Sequence, residues 1–254
     1  MRFGDVLYEK KNKVAILTLD DQKKLNALSP GIRKGLKEGF TESEKDADVK
    51  AAIVTGAGRA FCAGADISGF DFDPVSVKVF LDDVFQALTI GEKVKKPVIA
   101  AVNGLALGGG LELAISCDII IASEKAKFGV PEINLGLLPG FAIVRLHQII
   151  GRSKSKEMTM TGEPISAEEA FRLNLVSKVV PHENLMNEAM ELAEKIASKP
   201  AIAIRLAKSS INRMLGGEEI VYACDAMPSL FATEDTREGI RAFLEKRKPV
   251  FKDR

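Results

Sequence analysis

The chain has 254 residues, with 36 Lys+Arg against 35 Asp+Glu and a hydrophobic fraction of 46%. That length fits one sizeable domain or a core with a smaller appendage, and the apolar fraction excludes global disorder. Near-neutral charge argues against a nucleic-acid binder, whose electrostatics need a basic surplus, although a local basic patch stays open.

The first residues carry charges at Arg2, Asp5 and Glu9, where a signal peptide would have its apolar stretch. Val14–Leu19 is the first predicted buried strand. A helix follows, capped by Ser29 with Pro30 at its first position, and Ile32, Leu36 and Phe40 recur along one face. Further buried strands are predicted at Ala51–Thr55, Pro97–Val102, Ile119–Ala122 and Leu175–Val180. Ser166 to Glu169 is a capping-box pattern opening a short helix. Strands separated by helices imply crossover connections and an α/β core.

No further strong strand is predicted after Pro181. One amphipathic helix runs from Leu185 to Ile196, and a second from Ile202 to Met214, stopped by Gly216–Gly217. A third carries Ile240, Phe243 and Leu244. The expected architecture is an α/β core of residues 1–181 followed by a helical region of residues 182–254. No apolar run approaches the roughly 18 residues that span a bilayer. The three cysteines, Cys62, Cys117 and Cys224, are widely separated and form no CxxC pair, which indicates neither a zinc site nor a disulfide framework. His147 and His182, the only histidines, leave little material for metal or triad chemistry. No metal site is expected, and the protein reads as soluble and cytoplasmic.

Three glycine-rich stretches carry the chemical signal. Gly56-Ala57-Gly58-Arg59-Ala60 resembles a dinucleotide fingerprint, but the third glycine would fall on Phe61, so nicotinamide binding is not supported. In Phe61-Cys62-Ala63-Gly64-Ala65-Asp66, small residues let a ligand lie against backbone N–H groups; a tight surface turn is the alternative. In the third stretch a strand ends near Asn103 and an apolar helix begins around Gly109. Such a helix start presents unpaired amides and a partial positive charge suited to a developing oxyanion. A merely flexible helix entry does not account for Glu112, which sits among Leu111, Leu113, Ala114 and Ile115. A carboxylate there is expected to be partly buried, with its pKa raised toward acid/base work. Glu132, twenty residues on, lies in Phe128-Gly129-Val130-Pro131-Glu132-Ile133, also among apolar residues. Two such groups in one pocket are the pattern of paired acid/base catalysis.

The motifs LNAL (Leu25 to Leu28), AFCAGAD, NGLALGGGLELAISCD, FGVPEINLGLLPG, TGEPISAEEA and AFLEKRKPVFKD follow one another across essentially the whole chain. In that order and spacing the sequence resembles the crotonase superfamily, specifically its enoyl-CoA hydratases. The resemblance implies an α/β crotonase-like spiral of ββα units with a C-terminal helical trimerisation region, assembled as a trimer or a dimer of trimers. It implies oxyanion donors at the amides of Ala63 and Gly109, and a substrate-binding segment at Gly64, Ala65 and Asp66. Glu112 and Glu132 match the two catalytic glutamates, to which the hydration chemistry assigns the roles of base and proton donor respectively, and the backbone of Gly140 matches a position that helps to hold the reacting water. Phe243 and Lys246, in the last helix, match contacts to coenzyme A across a subunit boundary, and Lys24 and Leu25 lie where relatives touch the same moiety. No cofactor is implied, because coenzyme A arrives as part of the acyl-CoA substrate.

One departure stands out. After Pro139-Gly140 relatives continue with a small, glycine-rich turn before an Arg-Leu pair, whereas here the run is Phe141-Ala142-Ile143-Val144-Arg145-Leu146. An enoyl-CoA isomerase, which typically needs only the glutamate matching Glu132, is the nearest alternative, with another acyl-CoA enzyme of the superfamily open beside it; a carboxylate at Glu112 favours hydration. A non-catalytic CoA- or RNA-binding homologue is the distant one, and the neutral charge weakens its RNA version.

Overall fold

Three antiparallel strands, β1 (Arg2–Phe3), β2 (Val6–Lys11) and β3 (Val14–Leu19), begin the chain. Helix α1 (Pro30–Lys45) starts where Ser29 Oγ accepts a hydrogen bond from the Ile32 N–H and returns the chain to β4 (Ala51–Gly56), parallel to β3. From there a unit of strand, short strand and helix repeats. β4 leads to β5 (Ala60–Cys62), then α2 (Pro74–Leu88) and α3 (Ile90–Lys93). β6 (Val98–Val102) leads to β7 (Leu105–Leu107) and α4 (Gly109–Ser116). β8 (Ile119–Ser123) leads to β9 (Lys127–Gly129), then α5 (Ala142–Ile150) and α6 (Arg152–Thr161). β4, β6 and β8 belong to a seven-stranded sheet with the N-terminal strands, and the short strands β5, β7 and β9 to a four-stranded sheet, β10-β9-β7-β5, where β10 is Ile165–Ser166. This is the expected spiral of ββα units. The computed structural model describes residues 1–69, 73–213, 231 and 233–250.

Alternation along the strands sorts the core. Ala15, Leu17, Val54 and Ala100 face Leu36, Phe40, Leu88 and Leu111 in the larger cluster. Val14, Ile53, Ile99 and Ile121 point to the opposite face, where Leu185, Ala189 and Ala193 of α8 (Leu185–Ala197) cover them. A parallel strand buried on both faces reads as a continuous apolar run, which is why VIAAV of β6 is buried at every position.

Two expectations need correction. The last parallel strand, β11, covers only Lys178–Val180. The Leu175 and Val176 amides instead donate to the Ala170 carbonyl, closing the end of α7 (Ala167–Arg172). The capping box forms by half: Ser166 Oγ accepts from the Glu169 N–H at 3.1 Å, but the Glu169 carboxylate pairs with Lys154 at 2.7 Å. Helix α9 covers Ala201–Arg213; its expected stop at Gly216–Gly217 lies outside the described residues, as does Cys224. Cys62 and Cys117 are buried free thiols. The last described helix, α10 (Glu234–Leu244), is capped by Thr233 Oγ1. Among the described residues no helix is long and apolar enough to cross a membrane.

Candidate active site

β5, β7 and β9 run parallel and adjacent, so their carboxyl ends open along one edge of the smaller sheet. The segments leaving them are Ala63–Asp66, Gly108–Gly109 and Val130–Glu132. Topology thus gathers at one place three stretches that are far apart in sequence.

The amides there differ from the expected pair. Ala63 donates its N–H to the Leu25 carbonyl at 3.1 Å and is spent on holding that loop. The Ala65 nitrogen is the one beside Gly109: a Cβ built on Gly109 would stand 3.5 Å from it. Among the described residues neither the Ala65 nor the Gly109 amide meets an acceptor, and Gly109 opens α4, where the helix dipole adds positive character. Ala63 continues the hydrogen bonding of β5 outward, and the first exposed donor comes two residues later. Glycine is required twice here. Gly64 has φ +106°, and a Cβ on it would come 3.0 Å from the Leu107 carbonyl oxygen. Gly108 has φ +53°, and a Cβ would stand 2.9 Å from Glu132 Oε1.

That last contact places the Glu132 carboxylate directly over the turn before Gly109. Glu132 sits in the short 3-10 turn Pro131–Leu135, and its Oε2 is buried with no hydrogen-bond partner among the described residues. Burial, followed by the negative charge of Glu112, pushes its pKa up to about 8. Glu112 lies one turn into α4 and is buried. Its Oε1 accepts from the amides of Phe141 at 2.6 Å and Ala142 at 2.8 Å, at the start of α5. Burial raises its pKa too, but those two amides oppose the rise because they stabilise the charged form. The two environments therefore diverge: Glu112 is the group built to ionise, and Glu132 the group built to keep its proton at neutral pH.

The rim is assembled by the Leu25–Leu28 loop. The Leu28 N–H donates to the Gly64 carbonyl at 2.8 Å, and Lys24 Nζ bonds Asp66 Oδ2 at 2.6 Å, so Lys24 and Leu25 border the Gly64–Asp66 segment. Asn26, not singled out from sequence, anchors this rim: fully buried, it donates to the carbonyls of Ala57 and Ala60 and accepts from the Asp21 N–H. A lone polar residue inside the apolar run Leu25, Ala27 and Leu28 is the signal that could have found it. Gly140 is buried immediately before the two amides that hold Glu112.

Phe243 and Lys246 are not drawn in by the single chain. Helix α10 packs on the Glu132 turn, with Thr236 Oγ1 donating to the Gly136 carbonyl at 2.9 Å. Yet Phe243 is 60% exposed, and Lys246 stands at φ +54° in the turn after the helix rather than inside it. Among the described residues neither bonds to the Glu112 and Glu132 pocket, and the Lys246 N–H donates to the Phe243 carbonyl. The expected cover for Phe243 and Leu244 does not come from the chain's own core, because Leu244 is also 54% exposed.

Comparison with known proteins places the chain among its relatives. A short-chain-enoyl-CoA hydratase from Clostridium acetobutylicum is 43% identical over 98% of this chain and 97% of its own length. A crotonyl-CoA hydratase from Syntrophomonas wolfei is 40% identical, covering 99% of each chain. The crystal structure of a carnitinyl-CoA hydratase from Mycobacterium avium superimposes with a TM-score of 0.88 at 32% identity, again over 99% of each chain. Residues 9–254 match the model of the enoyl-CoA hydratase/isomerase family, and the chain belongs to that family.

Proposed function

We propose that the protein is an enoyl-CoA hydratase, a hydro-lyase that adds water across the trans-2 double bond of an enoyl-CoA thioester to give a 3-hydroxyacyl-CoA. The observation that carries this is the pair of glutamates in contrasting surroundings, Glu112 held by two backbone amides and Glu132 Oε2 with no partner among the described residues, beside two unengaged amides. The thioester carbonyl lies between the Ala65 and Gly109 amides, which stabilise the negative charge that gathers on its oxygen. Such a donor is worth about 100- to 1,000-fold in rate. Glu112 removes a proton from water as its oxygen bonds to the β-carbon; the C=C electrons shift into an enolate. Glu132 then delivers its proton to the α-carbon, and return of the proton from Glu112 to Glu132 resets the site.

Lys24, Leu25 and Asp66 line the approach for coenzyme A, and the Gly140 backbone orients the water. The bulky Phe141 does not crowd the acyl space, since its side chain is fully buried. Exposed Phe243 and Leu244 favour a homo-oligomer, a trimer or dimer of trimers, in which a neighbour brings Phe243 and Lys246 to the substrate. Buried free thiols fit a reducing, cytoplasmic setting. The test is crotonyl-CoA turnover followed at the enoyl-thioester absorbance, with the product identified by mass. A gain of one water supports hydration. Migration of the double bond in a 3-enoyl-CoA with no water gained assigns an isomerase instead.

A further inference from the structure

Beyond the two glutamates, one more side chain bears on the reaction. We infer that Arg145 is a positioning residue for Glu112, acting with Glu92 as a strut that fixes the two amides on which the Glu112 carboxylate rests. The inference rests on the proposed role of Glu112 as base.

Arg145 lies one turn along α5 from Phe141 and is buried. Its Nε donates to Glu92 Oε1 at 2.9 Å and its Nη2 to Glu92 Oε2 at 3.1 Å, a two-point fork that fixes orientation as well as distance. The guanidinium carbon stands 5.5 Å from the centre of the Phe141 ring, and the Arg145 N–H donates to the Phe141 carbonyl at 3.1 Å. One residue therefore grips Phe141 from its ring and from its backbone. Glu92 belongs to α3, whose Gly91 packs so closely on Ser116 that a Cβ would stand 2.6 Å from the Ser116 carbonyl oxygen. Ser116 ends α4, the helix that carries Glu112. The strut thus ties the start of α5 to the block that holds the carboxylate.

Stability alone is a poor reason for such a pair, because an apolar replacement of matching volume is often neutral or stabilising. Placement of the Phe141 and Ala142 amides is a reason the pair does satisfy. Those amides favour the ionised carboxylate, and if they drift, burial is left to push the Glu112 pKa further up. Other charges near these helices have partners or face water. On α2, Lys78 pairs with Asp82, and Asp83 with Arg33 and Lys37. Asp118, after α4, pairs with Lys208, and Lys154 on α6 with Glu157. Lys93, Lys95, Arg152, Lys156 and Arg205 are exposed and His147 is half-buried, and Cys62, Cys117 and Glu132 are further titratable neighbours.

The experiment uses Arg145→Lys, which keeps the charge and loses the fork, and Glu92→Gln, which keeps the shape and loses the charge. Arg145→Met is the severe case. Amide hydrogen exchange at Phe141 and Ala142 and the pH profile of kcat on crotonyl-CoA are measured for each folded variant. Exchange about tenfold faster at those amides is expected. With it come a kcat lowered about 10- to 100-fold and an acid limb moved up by about one pH unit, KM staying within about threefold. Arg145→Lys should recover part of the loss seen in Arg145→Met; if the latter does not fold, the two milder variants decide. Unchanged exchange with an unmoved acid limb overturns the inference, and so does a loss of kcat without any movement in pH. A wild-type protein that hydrates no enoyl-CoA, while exchange at Phe141 and Ala142 still quickens in the variants, sinks the proposed function and leaves the strut standing.

Discussion

Replacing Glu112 by Gln removes one charge and almost none of the shape. The Gln carbonyl oxygen accepts the same two bonds that Glu112 Oε1 accepts from Phe141 and Ala142, so the start of α5 keeps its partner. Trading charge-assisted bonds for neutral ones costs about 1 kcal/mol, and relief of the burial that strains the carboxylate offsets it. The melting temperature should stay within about 4 °C of wild type. Loss of the base should lower kcat about 100- to 10,000-fold. A second effect appears at Glu132. Lifting a carboxyl from 4.5 to about 8 corresponds to about 5 kcal/mol against its ionised form, with burial the larger cause and the Glu112 charge the smaller. Without that charge Glu132 should titrate lower than in wild type, yet still above an ordinary glutamate. Steady-state hydration of crotonyl-CoA measures the first effect, and isotope-edited infrared titration of the Glu132 carboxyl measures the second. A kcat within about threefold of wild type refutes Glu112 as base, and an unmoved Glu132 titration refutes the coupling.

Hydration by the wild-type enzyme should fall above about pH 8, as Glu132 loses the proton it must donate; a flat profile to pH 10 contradicts that role. Because the folded state holds this proton more tightly than the unfolded chain, Glu132 makes stability decline between pH 4.5 and about 8. Glu132→Gln should therefore gain roughly 3–10 °C in melting temperature over wild type at pH 8.5 relative to pH 5, and a pH-independent difference would argue against the buried charge. Gly108→Ala forces a side chain into φ +53° and 2.9 Å from Glu132 Oε1, so about 1–3 kcal/mol of stability should be lost together with turnover, read by urea unfolding and kcat. Asn26→Ala strands the carbonyls of Ala57 and Ala60 and the Asp21 N–H; a loss of about 3 kcal/mol is expected, and one under about 1 kcal/mol would remove Asn26 as the anchor of the rim.

The central parallel strands were legible because burial on both faces writes near-continuous apolar runs, as in VAILTL, broken only at Thr18, and VIAAV. Helix α1 announced itself through Ser29 and Pro30. The short strands β5, β7 and β9 were not legible: at three residues each they are too brief for a period, and they exist because each follows a longer strand across a turn. Both glutamates stood out as charges inside apolar stretches. The proposed oxyanion amide did not, since choosing between Ala63 and Ala65 depends on which N–H the Leu25 carbonyl takes, a contact between loops nearly forty residues apart. For the same reason Arg145 gave no signal: its partner Glu92 is fifty-three residues away.

The proposed reacting groups hang from strands of three residues, whereas the seven-stranded sheet behind them packs apolar side chains on both of its faces. This division of labour separates what an ancestor had to preserve from what its descendants could rewrite. Loops at the ends of β5, β7 and β9 can exchange a carboxylate for another side chain while the larger sheet goes on supplying the folding energy. A lineage built this way diversifies its chemistry by editing an edge, and the scaffold survives each edit.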